Sequence, residues 1–322
     1  MFVRNLRRWL TAKSLSAAGA VAPWLPAGLV DFAERCLAAT GSAWPILSRM
    51  VADNMRSAGV YRPAAFREYF AQIARHLTGA VRIFRIARCP EAVAELARAQ
   101  IDVDASIRRL HDALRAGRGA IVAPPHVCNY LLTLARLNQE VPVLVYLRWS
   151  EDERKRELKQ AWCAATGLRV ILEPPGADPT GRAATCIEAL RAGAVLVMTP
   201  DIAQKDGKGV PVRLLGRRVY LPTGPASIAM LAEAPLVPVF GRLVMDKHVI
   251  RAGEPVPVES LPRSAGGRQE AIRRAMQTWT DGFETFLRDC PQAWFLWGDS
   301  RWTRVFRGDP RYCAERPVMN DE

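Results

Sequence analysis

The sequence has no long, strongly hydrophobic run. The uncharged stretch from residue 14 to residue 30 spans 17 residues, but it is rich in alanine and glycine and is broken by Pro23 and Pro26. A membrane-spanning helix needs about 20 apolar residues, so we expect no full span here. A signal peptide is an alternative interpretation, because the start is basic and small residues lie at 20–22. The weak hydrophobicity, and the basic helical pattern that continues beyond it, favour a retained segment.

Cysteine is sparse and shows no metal-binding pattern. The seven cysteines form no CxxC pair and have no ligand spacing. The cysteines therefore predict no metal site and no disulfide framework. Reduced thiols on the cytosolic side fit this usage.

Lysine is also scarce, since only six of the 45 basic residues are lysine. The positive charge is concentrated near the start, where residues 1–88 hold 13 basic and 4 acidic residues. No zinc-finger spacing, RNA-binding signature or run of five basic residues is present, so nucleic acid is not expected as a partner. Anionic membrane lipids are the favoured partner of the basic region.

The first residues have the pattern of a basic helix lying in a membrane interface. Val3, Leu6, Trp9 and Leu10 recur at helical spacing, with arginines between them. Helical periodicity continues to about residue 88. We therefore predict a basic, helical, membrane-associated layer over residues 1–100, attached peripherally or as a monotopic protein.

Residues 101–322 alternate short apolar runs with helical patterns, which is typical of an α/β fold with a mostly parallel sheet flanked by helices. The sequence contains no internal repeat and no low-complexity linker. We expect this part to be a single domain. The predicted strands before residue 200 are "AIVAPP", "VPVLVYL", "RVILE" and "AVLVMTP".

His126, one of four histidines, follows the first of these runs and precedes a predicted helix. Open α/β sheets bind ligands at the carboxyl ends of their strands. An isolated histidine at that place is also compatible with a packing role. Its position makes it the first candidate for a general base.

Four blocks of sequence share an order and spacing with a known family. They are "HVCNYL", with Asn129 and Tyr130 after the histidine; "YLRWS", with Arg148; the long block with Asp201, Gly209, Gly216, Thr223, Gly224, Pro225 and Pro238; and "PQAWFLWGDSRW", with Trp297 and Arg301. By these blocks the sequence resembles the bacterial lipid A late acyltransferases, the lauroyl and myristoyl transferases of the glycerolipid acyltransferase superfamily. The second block departs from the family pattern, since Leu147 intrudes and Trp149 replaces a proline.

The resemblance implies an acyltransferase of lipopolysaccharide or related lipid biosynthesis at the cytoplasmic face of the inner membrane. Its donor would be a thioester of acyl carrier protein or coenzyme A, and its acceptor a hydroxyl or amine of a lipid A-like or other lipid. No metal and no resident cofactor are implied. The resemblance makes His126 the catalytic base and places Asn129, Arg148, Thr223 and Gly224 at the substrate. Thr223 also fits the N-cap of the helix that follows it.

One residue departs from the family motif at a decisive place. The fifth residue after the histidine is Glu or Asp in that family, where it orients the imidazole, but here it is Leu131. Either another acid replaces it, with Asp201 and Glu173 near strand ends as the candidates, or the chain binds lipid or acyl thioester without transferring the acyl group. Cys128 is a weaker alternative nucleophile, since a buried cysteine commonly acts only as a small hydrophobic residue.

Overall fold

The structure is a computed structural model that describes residues 21–127, 129–147, 153–172, 179–245, 247–258, 262 and 264–314. Several predicted features lie outside these described residues. They are the first amphipathic helix, Cys128, Arg148 and Glu173.

Four described α-helices precede the first strand. They are α1 (Ala27–Thr40), α2 (Pro45–Ser57), α3 (Pro63–Ile86) and α4 (Pro90–Gln100). Proline opens α2, α3 and α4, where its missing N–H has no intrahelical partner to lose. Arg82 of α3 bonds to Asp31 and Glu34 of α1 at 2.7 and 2.6 Å. The predicted division at residue 100 falls where these helices give way to the sheet; that it separates two domains stays a prediction.

The predicted α/β fold with a mostly parallel sheet is confirmed. The strands are β1 (Ile101–Val103), β2 (Ala120–Ala123), β3 (Val143–Leu147), β4 (Arg169–Leu172), β5 (Val195–Val197), β6 (Val210–Leu214), β7 (Arg217–Leu221), β8 (Leu236–Val244) and β9 (Lys247–Ala252). Seven of them form one sheet in the order β1-β9-β8-β2-β5-β3-β4, in which only the β8–β9 pair is antiparallel. The remaining two, β6 and β7, form an antiparallel hairpin.

Helices cover both faces of the sheet. Those after β1 are α5 (Arg108–Leu114), α6 (Tyr130–Glu140), α7 (Glu153–Ala165), α8 (Pro179–Arg191), α9 (Gly224–Ala232), α10 (Ala265–Asp289) and α11 (Ser300–Phe306). Strand β2 is buried on both sides, as expected for a central parallel strand. Ile121 and Ala123 pack into one hydrophobic cluster with Trp279 of α10, whereas Ala120 and Val122 pack into a second cluster with Leu132 of α6.

The strand order brings two distant segments together. β2 and β5 are parallel neighbours, with Ile121 opposite Leu196, so their carboxyl ends meet at the same edge of the sheet. His126 lies just beyond the end of β2, and Asp201 lies just beyond the end of β5. The sheet therefore places the histidine and this acid side by side.

Candidate active site

The backbone around His126 is held on both sides of the residue. Before it, Pro124 and Pro125 keep the chain extended after β2. After it, Val127 forms an isolated bridge with Trp294, and the Phe295 N–H donates to the His126 carbonyl at 2.9 Å. The segment that follows α10 therefore packs directly on the turn that carries the histidine.

Asp201 contacts His126 through both carboxylate oxygens. Oδ1 lies 2.6 Å from the imidazole Nδ1, and Oδ2 accepts from the His126 backbone N–H at 2.7 Å. Asp201 is fully buried, with 0% of its surface exposed. A carboxylate bonded to both the backbone and the ring of one histidine fixes the ring rotamer and places the Nδ1 proton toward the acid.

Two tryptophans complete the surroundings of this acid. The Trp294 indole N–H donates to Asp201 Oδ2 at 2.9 Å, and the Trp302 indole N–H donates to the Asp201 carbonyl at 3.0 Å. Both indoles are buried. Because a buried carboxylate is costly without donors, the Trp294 bond stabilises the Asp201 carboxylate, whereas the Trp302 bond holds the backbone that carries it.

Neither tryptophan was among the site residues predicted from the sequence. The only available signal was the density of aromatic residues in "QAWFLWGDSRW". Of the residues taken from that block, Arg301 lies near the site as one half of an ion pair with Asp299, with N–O distances of 2.9 and 3.0 Å.

The electrostatics of the site favour the protonated imidazole. Burial lowers the pKa of His126, but the negative charge of Asp201 and its hydrogen bond outweigh burial, and the pKa is raised above its ordinary value. Arg301 opposes this rise and Asp299 adds to it. A histidine with a raised pKa is a stronger base once it is deprotonated.

With Nδ1 bonded to Asp201, Nε2 is the ring nitrogen left for a substrate. The His126 side chain is 29% exposed, so the ring is reachable from outside. Tyr130 stacks on it with the ring centroids 5.9 Å apart. Burial raises the pKa of Tyr130, so its phenol stays neutral beside the histidine.

Three of the four predicted substrate-binding residues lie in the described part of the chain. Asn129 is buried and adopts a left-handed conformation (φ 61°) at the start of α6. Gly224 opens α9. A Cβ added to it would lie 3.4 Å from the side chain of Met198, a residue of the segment between β5 and Asp201. Thr223 occupies the N-cap of α9, as predicted, but its side chain makes no capping hydrogen bond. That any of these residues binds substrate stays a prediction.

Leu131 is the second residue of α6 and packs against the cluster that contains Leu132. The motif position thus contributes to the hydrophobic core. Within the described part of the chain, no group of three His, Cys, Asp or Glu side chains is arranged to hold a metal ion.

An open α/β sheet with an oriented histidine at its carboxyl edge defines a class of sites suited to removing a proton from a bound acceptor. The comparison with known families then identifies the protein family. The model of the bacterial lipid A biosynthesis acyltransferases matches residues 60–304, and the chain belongs to that family. The matched range includes α3, His126, Asp201 and both tryptophans. A comparison with curated proteins gives no match.

Proposed function

We propose that the protein transfers a fatty acyl chain from a thioester of acyl carrier protein or coenzyme A to a hydroxyl or amine of a lipid A-like acceptor. The family supports acyl transfer to a lipid. The contact between His126 Nδ1 and Asp201 Oδ1 at 2.6 Å is the observation that supports an active site in this chain despite Leu131.

In the proposed reaction, Nε2 of His126 removes the proton of the acceptor O–H or N–H as its heavy atom attacks the thioester carbonyl carbon. The tetrahedral intermediate collapses by breaking the C–S bond. The imidazolium returns the proton to the leaving sulfur, so the products are the acyl ester or amide and the free thiol. Asp201 stays ionised and holds the Nδ1–H throughout.

The second candidate function is binding without turnover, and Leu131 is the observation that favours it. A chain that has lost the motif acid would bind acyl thioester or anionic lipid and leave the thioester intact. The buried carboxylate on Nδ1 supports transfer over this alternative, since it supplies the orientation that the motif acid provides elsewhere in the family.

The two functions are separated by incubating purified protein with radiolabelled acyl carrier protein or acyl-coenzyme A and a lipid A precursor in mixed micelles. Transfer by the natural protein that disappears in His126→Ala supports catalysis. His111→Ala is the matched control, since His111 is an exposed histidine of α5 and should leave the rate unchanged. Thioester binding without release of thiol in any variant would support the binding function.

We further propose that the protein attaches peripherally or monotopically to the cytoplasmic face of the inner membrane. Within the described ranges, no helix combines the length and the apolar character needed to cross a bilayer. Exposed large apolar side chains are concentrated at the start of the described chain, where Trp24 is 84% exposed and Ile46 is 87% exposed. Exposed aromatic and aliphatic residues near a basic region suit insertion into an anionic lipid surface, and an acidic carrier protein would also be attracted to that region.

A further inference from the structure

A second histidine contacts the turn that carries His126. His76 lies in α3 and is partly buried. Its Nδ1 accepts a hydrogen bond from the backbone N–H of Asn129 at 3.2 Å. Asn129 is held at φ 61°, a conformation that a non-glycine residue keeps only when its surroundings stabilise it. The hydrogen bond to His76 satisfies the backbone N–H of this strained residue.

The next turn of α3 also touches Asn129. A Cβ on Gly79 would lie 3.1 Å from Asn129 Oδ1, so the absence of a side chain lets α3 approach this residue closely. His76 and Gly79 are three residues apart and lie on the same side of the helix. One helix thus accepts the backbone N–H of Asn129 and approaches its side chain closely.

The same helix holds the other neighbour of His126. The ring of Phe295 lies 5.0 Å from that of His76, centroid to centroid, and the Tyr69 hydroxyl donates to the Phe295 carbonyl at 3.1 Å. The Phe295 N–H is the donor to the His126 carbonyl. α3 therefore supports His126 through Asn129 on one side and Phe295 on the other.

The protonation state of His76 suits this contact. Nδ1 accepts only while the ring is neutral. Burial, together with the positive charge of His126, lowers the pKa of His76 to about 4. The ring is therefore neutral near pH 7 and keeps the acceptor that the Asn129 N–H requires.

We propose that His76 is a positioning residue for acyl transfer: by accepting the Asn129 N–H, it fixes the turn that sets the His126 ring relative to Asp201 and the substrate. The inference rests on the proposed function, since it concerns the same base. It assigns a role in the reaction to the helical region that precedes the sheet.

The test compares two amides at the same site. In His76→Asn the side-chain oxygen falls near the place of Nδ1, so the acceptor is kept, whereas in His76→Gln the amide falls nearer the place of Nε2 and the acceptor is lost. A displacement of about 1 Å costs up to roughly a hundredfold in rate. We expect His76→Gln to lower kcat by about ten- to a hundredfold with KM within about twofold, and His76→Asn to recover most of that loss.

The outcomes separate this inference from the proposed function. If the natural protein shows no transfer, the proposed function fails. If it transfers and His126→Ala does not, but His76→Gln keeps the natural kcat, the positioning role is wrong. Equal losses in the two amide variants would also overturn it, because they would show that the ring and not its acceptor matters. Thermal unfolding of each variant checks the fold. If either amide variant fails to fold, Gly79→Ala takes its place. This change crowds Asn129 from the same helix and should also lower kcat.

Discussion

The Asp201 carboxylate contacts both the ring and the backbone of His126, although 75 residues separate the two in sequence. One oxygen lies on the imidazole and the other on the amide N–H. The ring and the chain that carries it are thus held by a single buried group.

Removal of this carboxylate should be the most damaging conservative change. Asp201→Asn places an amide against the Nδ1–H, the His126 N–H and the Trp294 N–H, which are all donors. By analogy with the loss of the orienting acid in a serine protease, we expect kcat to fall by about three to four powers of ten. Steady-state assays of acyl transfer measure this, with circular dichroism to check the fold. Asp53→Asn, a change in an ion pair at the surface, is the control and should be neutral. A loss of less than tenfold in Asp201→Asn would contradict the assignment.

The pH dependence of kcat/KM should follow the ionisation of His126. Only the neutral ring accepts a proton, and its pKa is raised above the ordinary value of 6.5. The rate should therefore increase with pH through an apparent pKa above 6.5 and level off beyond it. In Asp201→Asn the burial that lowers the pKa remains while the opposing charge is gone, so the residual activity should begin to rise at lower pH. An unshifted profile in that variant would show that another group controls it.

Restoring the family acid should give little gain. Leu131→Glu puts a carboxyl into a partly buried position against the second hydrophobic cluster, which we expect to lower the free energy of unfolding by about 1–3 kcal/mol. The imidazole already has its acid, and a second carboxylate nearby would add like-charge repulsion. Activity assays and denaturant unfolding measure the two effects. A large increase in activity, with Asp201→Asn silent, would instead show that the chain is a binding protein with a disabled motif.

The two tryptophans allow a matched comparison. Trp294→Phe removes a donor to the Asp201 carboxylate, whereas Trp302→Phe removes a donor to its backbone carbonyl. Each loses one buried bond, so we expect each to lower the free energy of unfolding by about 1–3 kcal/mol. Only the first change alters the group that holds the imidazole. The decrease in kcat should therefore be several times larger for Trp294→Phe, and equal decreases would contradict the role of Trp294.

Membrane attachment should depend on exposed apolar residues and on salt. A Trp24→Ala, Phe32→Ala double variant should bind more weakly to vesicles that contain anionic phospholipid, because it loses aromatic surface that can enter the interface. High salt should weaken the binding of the natural protein, and alkaline carbonate should strip much of it from membranes. Met245→Ala, at an exposed turn between β8 and β9, is the control. Retention of the natural protein in the membrane after both washes would contradict peripheral attachment.

The sequence allowed the strands and the place of the histidine to be predicted because these depend on local patterns. The run from Ala120 to Ala123 is apolar and ends in two prolines, and His126 follows directly. The choice between Asp201 and Glu173 depends instead on strand order. β5, which leads to Asp201, is the neighbour of β2, whereas β4, which leads to Glu173, lies three strands away, or about 14 Å at the usual spacing.

The contacts of Trp294, Trp302 and His76 could not be predicted for a related reason. The indoles reach Asp201 across 93 and 101 residues of chain, and His76 reaches Asn129 across 53. No local pattern specifies such pairs. They follow from the packing of α3, of α11 and of the segment between α10 and α11 against the finished sheet. The left-handed backbone of Asn129 was likewise hidden, although asparagine is among the residues that tolerate it best.

The division of base and acid between two neighbouring strands has a consequence for how such sites are found. A motif search that requires Asp or Glu five residues after the histidine would reject this chain, because that residue is Leu131. Its imidazole nevertheless has a carboxylate partner. The two halves of the pair lie in separate loops, so either loop can change in length or composition while the other keeps its place at the sheet edge. Relatives that lack the motif acid are better compared at the position of Asp201, just beyond the strand that neighbours the one leading to the histidine.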